Sequence, residues 1–102
     1  MQPNLSIGEG QLRTIKAVLA RHLPSDIRVY AFGSRVHGRN IKTFSDFDLC
    51  LKGRKPIPDQ TFFSLRDALD ESNLAIKVDL VDWHKLTPDF QDAIVRDFVL
   101  LV

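Results

Sequence analysis

The chain has 102 residues, 44% of them hydrophobic and 26% charged, with a formal net charge of +1, which fits one globular domain, residues 1–102, with room for a single core. Near-neutrality excludes a strongly basic nucleic-acid footprint, so any grip on phosphate has to be local. The lone cysteine, Cys50, excludes an internal disulfide, and neither a signal peptide nor the roughly 18–20 apolar residues of a membrane span is present. These features read as a cytoplasmic protein.

In chain order, Leu12, Ile15, Val18, Leu19 and Leu23 recur at helical spacing, predicting a helix over 9–23 that Pro24 and Ser25 end. "IRVYAFG" alternates and is rich in β-branched and aromatic residues, so it reads as a strand ending at Gly33. Ser34 is placed to cap a short helical turn, and 39–45 reads as a polar connection. "DFDLCL", 46–51, is a second strand, followed after "KGRKPIP" by a helix over 58–70 with Pro58 in its first turn and Phe62, Leu65 and Leu69 on one face. "AIKVDLV", 75–81, is a third strand. Thr87 and Pro88 then open a helix with Phe90, Ala93 and Ile94 as its buried face, and "FVLLV" forms a short last strand. This order predicts an α/β fold: a mixed β-sheet with helices packed on one face.

Side chains alternate along a strand, so Asp46, Asp48 and Cys50 share one face of the second strand while Phe47, Leu49 and Leu51 form the core face. The two aspartates sit roughly 6.5–7 Å apart along the strand, and without a counter-charge their repulsion is costly. Asp79 lies between core-facing Val78 and Leu80, so it joins Asp46 and Asp48 if the strands are neighbours. Three carboxylates on one sheet face suit two divalent ions and an in-line phosphoryl or nucleotidyl displacement. Each part alone has an ordinary explanation: an Asp-X-Asp on a solvated edge, a Gly-Ser turn, an exposed acid on a half-buried strand. The combination, in this order and on compatible faces, is what points to chemistry. Cys50 reads as a packed thiol, His22 and His84 as surface residues, and Trp83 as packing at a strand end. Lys52, Arg54 and Lys55 read as a solvated turn.

"FGSRVHG", then "SDFDL", then "VDLVD" resembles the minimal nucleotidyltransferases of the DNA polymerase β superfamily. Within it the chain looks most like small bacterial domains paired with a separate helical partner, the HEPN/MNT arrangement. The resemblance covers nearly the whole chain and implies a polymerase β-like fold. It implies that Gly33, Ser34 and Arg35 bind the triphosphate, most simply ATP. It also implies that Asp46, Asp48 and Asp79 hold two Mg2+ ions (or Mn2+), with Asp79 helping to deprotonate the attacking hydroxyl. Two departures stand out. Eleven residues separate Ser34 from Asp46, one more than the family pattern, and His37 occupies a place where Arg or Lys is common.

The expected activity is therefore metal-dependent transfer of a nucleoside monophosphate from a nucleoside triphosphate to a hydroxyl acceptor, which the resemblance extends to a partner toxin protein. The alternative is an antitoxin-like module that silences a helical partner by binding alone. Either way the resemblance implies a hetero-oligomer with a small HEPN-like protein. The open acid face, Phe44, Phe63 and the C-terminal apolar residues are candidates for an exposed patch.

Overall fold

The computed structural model describes residues 7–33, 36 and 46–102. The helical turn expected after Ser34 and the connection over 39–45 lie mostly outside these residues. Val36 is helical and buried, and its N–H donates to the Gly33 carbonyl at 3.0 Å.

A four-stranded sheet, ordered β3-β2-β1-β4, organises the domain. Its strands are β1 (Arg28–Phe32), β2 (Phe47–Lys52), β3 (Val78–Asp82) and β4 (Val99–Leu100). β1 runs antiparallel to both β2 and β4, whereas β2 and β3 are parallel. The sheet is thus mixed, as expected. Helices α1 (Glu9–His22) and α2 (Asp59–Asp70) pack on one of its faces. Ile15, Val18 and Leu19 from α1 and Leu65 and Leu69 from α2 meet Val29, Ala31, Phe47, Leu49, Leu51, Val78 and Leu80 there. Each of these Val, Leu, Ile and Phe side chains, once buried, contributes about 1.5–3 kcal/mol of hydrophobic stabilisation. Among the described residues, no helix is long and apolar enough to cross a membrane.

Three details differ from the sequence expectation. Pro58 is the extended N-cap of α2 rather than a residue of its first turn. β3 starts at Val78 rather than Ala75, at the point where its ladder with β2 begins, opposite Phe47. The third helix, α3 (Pro88–Val95), buries only Ile94; Phe90 and Ala93 are exposed. Moreover, α3 does not join α1 and α2. Phe90 meets the ring of Phe32, which points away from the core because its neighbour Ala31 points into it. An amphipathic pattern specifies that a helix has a buried stripe, but not which side of a sheet receives it. The cap itself is as expected: Thr87 Oγ1 accepts from Phe90 N–H at 3.3 Å.

Asp82, which closes β3, is 4% exposed and on the core face opposite Leu51. Its carboxylate accepts from Ile57 N–H at 2.8 Å and from His84 N–H at 3.1 Å, the latter capping a 3-10 turn over Trp83–Lys85. It therefore ties the loop before α2 to the end of β3. Asp82→Ala orphans both N–H groups and should cost about 1–3 kcal/mol. Asp82→Asn, which keeps an accepting oxygen, should cost less. Urea unfolding of the two variants measures the difference.

Candidate active site

Burial of Phe47, Leu49 and Leu51 turns Asp48 to the other face of β2, and Asp46 precedes the strand by one residue. The parallel register sets Asp48 directly beside Asp79, so their α-carbons lie about 4.7–4.9 Å apart by strand spacing. Asp79 is exposed; Asp46 and Asp48 are half-buried. The structure thus brings together the three acids singled out in the sequence at one end of the sheet.

Gly33 is the fourth predicted residue in this group. It follows the last residue of β1, Phe32, which pairs with Asp48. Its φ is +83°, the left-handed region that favours glycine, and a Cβ at this position would overlap Asp48 Oδ2. The backbone therefore approaches the carboxylate in a way no side chain would permit. Ser34 and Arg35, along with His37 and Phe44, lie outside the described residues.

Asp48 feels both of its acidic neighbours. The Asp48 carboxyl is pushed up from 3.8 to about 6, chiefly by burial and then by the neighbouring charges of Asp79 and Asp46. Such a concentration of negative charge favours a cation. Among the described residues, no three acid, histidine or cysteine side chains close around one point, so the acids form a row rather than a finished cage. A row fits a hard divalent ion, which takes one or two carboxylates and completes its shell with substrate oxygens and water.

Other singled-out residues stay apart from the acids. Cys50 shares their face of β2 but is fully buried, and its thiol is pushed up to about 11, mainly by burial. Trp83 packs at the far end of the sheet with Lys52 Nζ 4.5 Å above its ring. His84 is exposed and its Nε2 lies 2.7 Å from the Gly53 carbonyl. Arg54 and Lys55 are exposed, as a solvated turn requires. Sequence reasoning missed the aromatic pair Phe32–Phe90 beside the acids; only the pairing of Phe32 with Asp48 reveals it.

Substitutions at Asp48 and Gly33 test this geometry. Because Asp48 holds its proton more tightly folded than unfolded, its contribution to stability is full below pH 3.8 and falls away as pH rises through about 6. Without metal, Asp48→Asn should match or exceed the wild-type stability at neutral pH, and its advantage should shrink on acidification, as followed by melting temperature at each pH. Gly33→Ala should lose about 1–3 kcal/mol through backbone strain, and more through the clash. Adding Asp48→Ala should restore the clash component, which a double-mutant cycle isolates.

Residues 13–102 match the family model described as Polymerase beta, Nucleotidyltransferase. A protein of Haemophilus influenzae, named probable protein adenylyltransferase MntA, is 36% identical over 97 residues, spanning 95% of this chain and 83% of that protein. Among solved structures, a toxin-antitoxin with AMP-PNP superimposes with a TM-score of 0.71 at 24% identity, covering 89% of this chain and 72% of that one. A chain from the complex of tri-AMPylated Shewanella oneidensis HEPN toxin with MNT antitoxin gives 0.68 at 22% identity, covering 100% and 72%. The last two likenesses establish a shared fold.

Proposed function

This chain belongs to the polymerase beta nucleotidyltransferase family, and from that premise we propose that it transfers the adenylyl group of ATP to a hydroxyl on a small helical HEPN-like toxin. The observation that supports this reading most is the placing of Asp48 beside Asp79, with Gly33 against the same carboxylate. The protein adenylyltransferase named in Haemophilus influenzae and the AMPylated toxin complex supply the nucleotide and the partner.

In this reading the Gly33 backbone and the Ser34 and Arg35 side chains grip the triphosphate. Asp46, Asp48 and Asp79 would hold two divalent ions, Mg2+ or Mn2+. Enzymes of this family generally use divalent metals, which neutralise phosphate charge and polarise the attacked phosphorus. The acceptor hydroxyl forms a bond to the α-phosphorus as the bond to the β-phosphate bridging oxygen breaks. The hydroxyl proton passes to a carboxylate, a role this reading gives to the exposed Asp79, and pyrophosphate leaves. Binding of the toxin and its modification are then two stages of one neutralisation.

The test is incubation of the chain and its helical partner with Mg2+ and ATP labelled at the α-phosphate. Label should enter the partner, and Asp79→Asn should slow this by about 10²- to 10⁴-fold. Magnesium with ATP should also raise the wild-type melting temperature through binding to the folded state alone. A partner that is bound and silenced but never labelled would overturn catalysis in favour of neutralisation by binding.

A further inference from the structure

We infer that the ring of Phe90 is the platform on which the nucleobase of the triphosphate stacks; this inference rests on the nucleotidyl-transfer reading above. Phe90 is 47% exposed although it stands at the start of a helix anchored by buried Ile94. Its ring centroid lies 6.3 Å from that of Phe32, with the planes at 87°. Phe32 is the strand partner of Asp48, on the same face of the sheet. Phe90 is therefore one aromatic ring beyond the residue that flanks the acids. A nucleobase hangs from its α-phosphate by a single ribose, so a platform for it must lie a sugar's length to the side of the acids.

The helix start that carries the ring is also held in place. The Phe90 N–H donates to Thr87 Oγ1 at 3.3 Å, and the Gln91 side-chain amide donates to the Trp83 carbonyl at 2.8 Å. A perpendicular contact cannot cover both faces of Phe90, and the residue is nearly half exposed. Among the described residues, Phe63 is the other strongly exposed phenylalanine, at 54%, but it sits on α2, which packs on the opposite face of the sheet. Exposed aliphatic side chains such as Val95 on the same helix offer apolar surface without a π face. Stacking is tolerant of base identity because every base has a π face. Phe90 should therefore add affinity for nucleotides in general and leave base preference to other residues.

Titration calorimetry with Mg2+ separates the base from the phosphates. The ligands are a non-hydrolysable ATP analogue, the matching GTP analogue and inorganic tripolyphosphate, each with wild type, Phe90→Ala and Phe90→Trp. Phe90→Ala should weaken both nucleotides by a similar factor, about 5- to 150-fold, and leave tripolyphosphate affinity unchanged. Phe90→Trp should retain nucleotide affinity. Equal weakening of all three ligands, or no weakening, overturns the inference, as does a loss confined to binding of the helical partner. If the wild type binds neither tripolyphosphate nor nucleotide, the transfer reading itself fails, and the inference with it.

Discussion

The two-faced pattern of β2 governs the acid end of the molecule. Phe47, Leu49 and Leu51 are fully buried against the core, and their burial leaves the intervening residues no choice of direction. A slip of one residue would turn the aspartates into the core and the phenylalanine into water, which no compensation nearby could offset. The parallel ladder with β3 extends the constraint: because Val78 and Leu80 join the same core, Asp79 must emerge beside Asp48. Gly33 then closes the arrangement, since its approach to Asp48 requires the absence of a side chain. Hydrophobic burial on one face thus fixes electrostatics on the other.

The two ends of the sheet treat carboxylates in opposite ways. Asp82 is nearly sealed from solvent yet holds two backbone N–H groups, so its burial is compensated. Around it the far end is tied by the His84–Gly53 contact and by Lys52 lying over Trp83. An exposed Lys85–Asp59 ion pair at 3.3 Å adds little, being screened by water. At the other end Asp46, Asp48 and Asp79 repel one another. The fold keeps its hydrogen-bonded acid where it needs a joint and its mutually repelling acids where a cation and a phosphate would relieve them. Such local conflict within an otherwise consistent structure is expected at functional sites.

Most of the sheet was legible because strand alternation and helix spacing are local signals. The facing of Asp48 and Asp79 followed from the apolar neighbours on either side of each. The positive φ at Gly33 agrees with a Gly-Ser turn closing the first strand. What the sequence did not reveal was relational. Thr87, Pro88 and Ile94 announced a helix but not the side of the sheet it would cover, because both faces offer apolar partners at Phe32 and Leu80. For the same reason Phe90 read as core although it is exposed. Asp82 carried no sequence mark distinguishing it from Asp79 three residues earlier; only the loop that returns Ile57 to its carboxylate gives it a structural role.

Cys50 has a consequence for the chemistry of the cell rather than of the site. It stands two residues beyond Asp48 on the same strand, yet its side chain is fully sealed and its thiol is held protonated to about pH 11. Oxidants and electrophiles attack the thiolate, and they need access to it. The chain's single sulfhydryl meets neither condition, so peroxide has no sulfenic acid to form there and two copies have no disulfide to share. Oxidative stress would leave the acid row untouched.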